Sequence, residues 1–386
     1  MSGCKQKYNR RNKAMHNSLE SYGWNAAFEN AAQLYADMNL SPARVVETGR
    51  NLWKVVADIG GTVEEFDAVV SGKFMYGVGT SAEMPVTGDW VLIRGVQGGG
   101  VEGGDEPAVI HALLPRVSKF SRKAKGDTAY DKVEEQVLVA NIDTAIIVAA
   151  AGQDWNARRI ERYIALVIDS GARPVVVVTK ADLAEDIDGL IHRTKNLAPA
   201  LPVFAVSAFT GQGMDRFDEF LLPGVTAVLV GSSGAGKSTL LNRLAGRSIQ
   251  RVQDIRADDH KGRHTTSVRT LFRLPSGALL IDTPGLREIQ LWTSEEDVDA
   301  TFPEIEALAA LCKFRDCTHD SEPGCAVREA IESGAVADDR VASWRKLRRE
   351  IEALERRQDP LLAAAERARW RSINREFRRF SKEHDR

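Results

Sequence analysis

A chain of 386 residues, 43% hydrophobic and 27% charged, has room for two or three domains at ~100 to 200 residues each, and this composition excludes a largely disordered protein. A mean hydropathy of -0.26 and the lack of any apolar run near the ~20 residues that a bilayer requires exclude a membrane-spanning helix, while the polar, basic start MSGCKQKYNRRNK lacks the apolar core of a secretory leader, so a cytoplasmic location without a membrane partner is expected. The formal net charge of -2 hides an uneven layout: KQKYNRRNK opens the chain and RKLRRE and ERARWRSINREFRRFSK close it, whereas acids gather in SEEDVD and VEEFD, so nucleic acid stays open as a partner.

Residues 1–42 form an extension in which SLESYGWNAAFENAAQLYADM suits a short amphipathic helix behind a loose basic arm. Across 43–116 the pattern changes to short β-branched, alternating segments, ARVVETG, LWKVVAD, TVEEFDAVV, DWVLIRG and AVIHALL, separated by GRN, IGG, TGD and GGGVEGGDEP. Five strands in that length predict a small closed barrel of the OB-fold type, a frequent nucleic-acid scaffold. A barrel that only packs on its neighbour is the alternative. A polar, basic linker, LPRVSKFSRKAKGDTAYDKVEEQVLVAN, then leads into 117–294.

There, near-continuous Val and Ile runs alternate with helical segments: TAIIVAAA, NARRIERYIALVIDSGA, PVVVVTKADL, LPVFAVSA, GMDRFDEFL, VTAVLVG and GKSTLLNRLAG. This predicts an α/β domain with a mostly parallel, doubly covered sheet. SVRTLFRL and GALLIDTPG add a hairpin across PSG. TKAD ends the four-valine strand. A carboxylate at Asp182 accepts from both the N1–H and the exocyclic N2–H of guanine, and adenine offers no such donor pair; a site built on that hydrogen-bonding rejects the wrong base by ~10⁴ to 10⁵. Thr179 stands where the usual motif has Asn and replaces part of that amide's tethering role, while Lys180 is expected along the base face. VSA gives Ser207 and the backbone N–H of Ala208 as a second base contact.

GSSGAGKST (Gly231, Ser232, Ser233, Gly234, Ala235, Gly236, Lys237, Ser238, Thr239) follows an apolar strand and opens a helix, the context of a phosphate-binding P-loop. Its glycines let backbone N–H groups converge on phosphate oxygens at the positive end of a helix. Lys237 is expected on the terminal phosphates and Ser238 on Mg²⁺. In GRHTTS, Thr266, in preference to Thr265, is the expected second Mg²⁺ ligand. In LLIDTPGL, Asp282 holds Mg²⁺ through water and the Gly285 N–H senses the γ-phosphate. The next residue is Leu286, where many GTPases place a water-orienting Gln. His264, with an imidazole titrating near neutrality, is the candidate to position or deprotonate the attacking water; an ordinary polar loop residue is the alternative. Gly234, rather than Asn, argues against a potassium requirement.

The strands stop near Ser294. Residues 295–386 carry CKFRDCTHDSEPGC, in which Cys312, Cys317, His319 and Cys325 supply four ligands, the number for one closed, tetrahedral structural zinc site per chain. Behind it Val341, Trp344, Leu347, Ile351 and Leu354 recur at helical spacing, one apolar stripe backed by a basic helical tail.

The motif order TKAD, VSA, GSSGAGKS, HTT, DTPG is that of a circularly permuted GTPase, since an ordinary one runs its phosphate loop first and its base readers last. With GSSGAGKSTLLN, GRHTT, DTPG and the cysteine segment, the chain over residues 43–358 resembles the ribosome small-subunit-dependent GTPase A family (RsgA, also YjeQ or YloQ). The resemblance implies an OB barrel, a permuted GTPase and a zinc module, in that order. It further implies a factor that binds GTP and GDP, engages the small ribosomal subunit and its rRNA late in maturation, and leaves after hydrolysis stimulated by that subunit. A monomer is expected. An rRNA-binding module gated by GTP, with incidental hydrolysis, is the alternative function, and an ATPase a weaker one because TKAD has no adenine-reading logic.

Overall fold

The computed structural model describes residues 18–95, 106–123, 135–152, 155–247, 269–283, 301–314 and 317–358. They fall into two compact units, Met1–Arg122 with Gln136–Gln290, and Lys123–Glu135 with Leu291–Arg386.

In the first unit, β1 (Ser41–Thr48), β2 (Trp53–Ile59), β3 (Thr62–Val70), β4 (Trp90–Arg94) and β5 (Ala108–Leu113) run in the order β1-β2-β3-β5-β4, and β4 returns to β1. That closes the predicted five-stranded OB barrel, with the β3–β5 pair parallel. Alternation decides what each face buries. Along β4, Val91 and Ile93 point into the barrel core with Val45, Val55 and Ile110, whereas Trp90 and Leu92 face outward onto Leu19, Trp24 and Phe28. The helix α1 (Ala26–Gln33), begun by the Asn25 side chain accepting from the Ala27 and Phe28 amides, covers that outer face, with Trp24 edge-on to Trp90 at 4.7 Å between centroids. The short amphipathic helix expected behind the basic arm is thus present, and Leu19, Trp24 and Phe28 pack on the barrel. A second short helix, α2 (Gly72–Gly77), joins β3 to β4.

The segment read as a linker contains two strands, β6 (Lys119–Lys123) and β7 (Glu135–Ala140), paired as a ribbon. Then follow β8 (Thr144–Ala150), α3 (Ala157–Asp169), β9 (Arg173–Thr179), α4 (Ile187–Leu197), β10 (Val203–Ala205), β11 (Thr226–Gly231), α5 (Lys237–Ala245), β12 (Arg269–Arg273) and β13 (Leu279–Asp282). The sheet order is β10-β9-β8-β11-β13-β12. All neighbours are parallel except β12, which forms the expected hairpin with β13. β8 and β11 are buried along their whole length, as central strands covered by helices on both faces must be.

The sheet does not end at β12. β1 carries a bulge between Val45 and Glu47. Before it, Ser41–Arg44 pair with β4 and close the barrel; after it, Glu47 and Thr48 pair with Thr270 and Arg269 of β12, so barrel and sheet are continuous. The fully buried Arg44 reinforces this seam, donating to the carbonyls of Gly88 at 3.3 Å, Asn141 at 3.0 Å and Tyr22. Burial lowers its pKa to about 10, against the opposing pull of Asp143 and Asp89.

In the second unit the regular elements among the described residues from 301 onward are helices. They include α6 (Pro303–Ala309), α7 (Ala326–Glu332) and α8 (Asp338–Gln358). Val341, Trp344, Leu347 and Ile351 of the predicted stripe are buried together with Phe302, Ile305 and Val327. The Leu354 side chain lies outside the described residues.

Candidate GTP site and metal centre

Thr179–Asp182, Ser207–Ala208, Gly231–Thr239 and Asp282 all lie at the carboxyl ends of parallel strands, following or ending β9, β10, β11 and β13. In an open α/β sheet that edge is where ligands bind. The phosphate loop sits centrally because β11 is flanked by β8 and β13, strands that come from opposite sides of it in the chain.

Gly231 is constrained by its neighbour: a Cβ there would lie 2.3 Å from the Val148 carbonyl oxygen of β8. The loop then turns into α5 at Gly236, whose left-handed φ of 90° and missing side chain leave the first-turn amides facing the loop rather than a capping group. Lys237 Nζ is held on the carbonyls of Gly231 at 2.7 Å and Ser232 at 2.6 Å. Ser238 is half-buried in the first turn of α5, with Ser232 in the loop, while Ser233, Gly234 and Thr239 are exposed.

The segment expected to read the base and the phosphate loop are in direct contact. Thr179 is buried, and its hydroxyl donates to the Ala235 carbonyl at 2.6 Å, with the Ala149 carbonyl at 3.4 Å. The hydroxyl thus joins the end of β9 to the phosphate loop. Lys180 follows in left-handed conformation, φ 57°, which turns the chain sharply before the exposed Asp182. The Ala181 amide donates to the Val206 carbonyl at 3.2 Å and joins this loop to the next. That loop is closed by buried Ser207, whose N–H donates to Gln212 O (2.9 Å) and whose carbonyl and hydroxyl accept from Gly211 and Thr210 (2.8 and 3.1 Å). Asp282 ends β13 opposite Thr270. His264, Thr265, Thr266, Gly285 and Leu286 lie outside the described residues.

In the second unit the ligand atoms of Cys312, Cys317, His319 and Cys325 all lie within 4.8 Å of one another. His319 Nδ1 is 3.4 Å from the Cys312 sulfur and 3.5 Å from that of Cys325, and these two sulfurs are 3.9 Å apart. A tetrahedral zinc ion with ordinary bond lengths would need ~3.6 Å between nitrogen and sulfur and ~3.8 Å between sulfurs, so the donor set fits. Burial pushes the Cys312 thiol up, but the amides of Val327 and Ala326 and the neighbouring thiols outweigh it and the net pKa is lowered. Desolvation, with the Arg345 guanidinium, lowers His319 and favours the neutral ring whose nitrogen binds a metal. The sequence pattern missed Glu322 and Arg345, which pack around these ligands, and gave Trp344 only as a member of the apolar stripe.

A cleft of about 880 Å³ lies on the barrel flank, lined by residues that include Tyr35, Phe74, His111 and Leu113. None of the predicted site residues lines it.

The family model described as "RsgA GTPase" matches residues 113–292. A second, "50S ribosome-binding GTPase", matches residues 226–367, beginning at the first residue of β11 and so leaving out the base readers that permutation has put upstream. "Small ribosomal subunit biogenesis GTPase RsgA" of Opitutus terrae is 45% identical over 359 residues, 92% of this chain and 96% of that protein. Its counterpart from Syntrophotalea carbinolica is 41% identical, over 95% and 99% of the two chains. The crystal structure of YjeQ from Thermotoga maritima superposes with a TM-score of 0.58 at 26% identity, covering 81% of this chain and 98% of that one. YloQ, titled a circularly permuted GTPase, shares the fold at a TM-score of 0.57 and 22% identity, covering 82% and 96%. The chain belongs to the RsgA GTPase family and is a circularly permuted GTPase with an N-terminal OB barrel.

Proposed function

We propose that this GTPase binds the small ribosomal subunit through its rRNA and assists its late maturation, hydrolysing GTP to GDP and phosphate at a rate the subunit raises. The observation that carries the reading is the near full-length match to relatives named small ribosomal subunit biogenesis GTPases. The site supports it. Asp182 reads guanine with the Ala208 amide, Lys180 lies along the base, Thr179 ties the reader to the phosphate loop, and Lys237 moves from its loop carbonyls to the terminal phosphates. Ser238, Asp282 and Thr266, or Thr265 in its place, would hold Mg²⁺, which neutralises charge on the β- and γ-phosphates. His264 positions water in place of the Gln that Leu286 replaces, and the Gly285 N–H faces the γ-phosphate. The Cys312, Cys317, His319 and Cys325 cluster would hold one structural Zn²⁺. Among the described residues no helix is long and apolar enough to cross a membrane, and we assign the protein to the cytoplasm as a monomer.

The test is GTP hydrolysis with and without purified small subunits, with ATP alongside. Stimulation confined to GTP is expected; equal GTP rates with and without subunits overturn the reading. His264→Ala is expected to abolish the stimulated rate and leave GTP affinity within about twofold of the parent, so parental turnover in this variant would remove His264 from the mechanism.

A further inference from the structure

The metal ligand His319 has a left-handed backbone, φ 62°, a conformation that costs a non-glycine residue roughly 1 to 2 kcal/mol and that something must hold. The residues on either side of it converge on one carboxylate. Glu322 Oε1 accepts from the Thr318 amide at 2.9 Å and the Thr318 hydroxyl at 2.5 Å, and Oε2 from the Asp320 and Ser321 amides at 3.0 and 3.1 Å. His319's own carbonyl accepts from Arg345, and its ring packs against Trp344 with centroids 5.5 Å apart. Glu322 is not one of the four clustered ligands. It binds the backbone that aims the imidazole.

We propose that Glu322 is a positioning residue for the metal centre, clamping the strained turn at His319 so that Nδ1 faces Cys312 and Cys325 before a metal arrives. This rests on the reading that the four-ligand cluster binds zinc. With both oxygens already engaged by donors, Glu322 acts from outside the ligand set and favours binding by lowering the ordering that the loop must undergo. Groups that orient first ligands in this way are worth ~10- to ~100-fold in metal affinity. A glutamine can replace only one of the two oxygens, because its amide nitrogen would meet the Asp320 and Ser321 N–H groups, or that of Thr318, as donor against donor.

The experiment uses the full chain, with Zn²⁺ competed against a chromogenic chelator and Co²⁺ substitution read from the visible bands of tetrahedral thiolate coordination. The parent is expected to bind one Zn²⁺. Glu322→Gln should weaken zinc about 10-fold and Glu322→Ala more, both keeping tetrahedral cobalt bands at saturation. Ser321→Ala, which leaves every clamp bond in place, should bind as the parent does. If the parent binds no zinc, the cluster reading fails. If the parent binds and both Glu322 variants bind within about twofold of it, the cluster reading stands and Glu322 is only a surface loop cap, which overturns the proposal. Should Glu322→Ala lose its helical signal even with zinc, Glu322→Gln alone decides by the same affinity criterion.

Discussion

Removing the Thr179 hydroxyl without changing its shape, as Thr179→Val does, isolates the link between base reading and phosphate binding. Thr179 is 3% exposed and Ala235 is fully buried, so the Ala235 carbonyl that accepts the 2.6 Å bond has no ready replacement partner. Leaving a buried acceptor unpaired costs about 1 to 3 kcal/mol, and each ~1.4 kcal/mol is tenfold in affinity. Without nucleotide the loop can relax and hydrate that carbonyl; with nucleotide bound it is held in place, so most of the cost falls on binding. A fluorescent GDP analogue should therefore bind Thr179→Val between ~5-fold and ~150-fold more weakly. The preference for guanine over adenine should persist, since Asp182 is untouched. Thr179→Ser keeps the donor and should recover most of the affinity. GDP binding within twofold of the parent by Thr179→Val would refute the tether, whatever the thermal stability of the variant.

Arg44→Met fills much of the same volume but orphans the carbonyls of Asn141 and Tyr22 and leaves that of Gly88 with the Asn141 side-chain amide alone; a loss of roughly 2 kcal/mol or more is expected, read as a lower urea midpoint of the tryptophan fluorescence, the guanidinium lying 5.4 Å over the Trp90 ring. Gly231→Ala forces a Cβ to 2.3 Å from the Val148 carbonyl oxygen, so the variant should lose measurable GDP binding in the same titration. Burial, with the charges of Arg94 and Lys73, lowers the His111 pKa from its ordinary 6.5. The folded state thus favours neutral imidazole, and this contribution is present above pH 6.5 and lost as pH falls through the lower folded value. Melting temperatures taken from about pH 7 to about pH 5 should fall less for His111→Gln than for the parent, and parallel curves would contradict the assignment.

What the sequence disclosed was local. The glycine spacing of GSSGAGKS between an apolar run and a helix, the carboxylate of TKAD after four valines, and the ligand spacing from Cys312 to Cys325 each sit inside a few residues, where chemistry and pattern coincide. The alternation of β2, β4 and β5 disclosed the barrel for the same reason. What stayed hidden depends on partners distant in the chain. Trp24 and Phe28 look like an idle amphipathic turn until Trp90 faces them from β4. FSRK and EEQVLVA read as a charged linker because a two-stranded ribbon needs no core of its own. Thr179 could be assigned a tethering role from its place in the motif, but its acceptor, a backbone carbonyl with no side-chain signature, is visible only in three dimensions. Glu322 escaped notice because three of its four donors are backbone amides, which any residue supplies.

The bulge in β1 has a consequence for how this protein can be taken apart. Exposed sheet edges invite pairing with other chains, and short edge strands limit that hazard. At one margin of the nucleotide-binding sheet β10 is only three residues long; at the other, β12 is partly covered by Glu47 and Thr48 of the barrel. Cutting the chain ahead of residue 117 would strip that cover and leave β12 open for strand exchange between copies. An excised nucleotide-binding fragment should therefore self-associate more than the full chain does, which makes the barrel an intramolecular guard against aggregation.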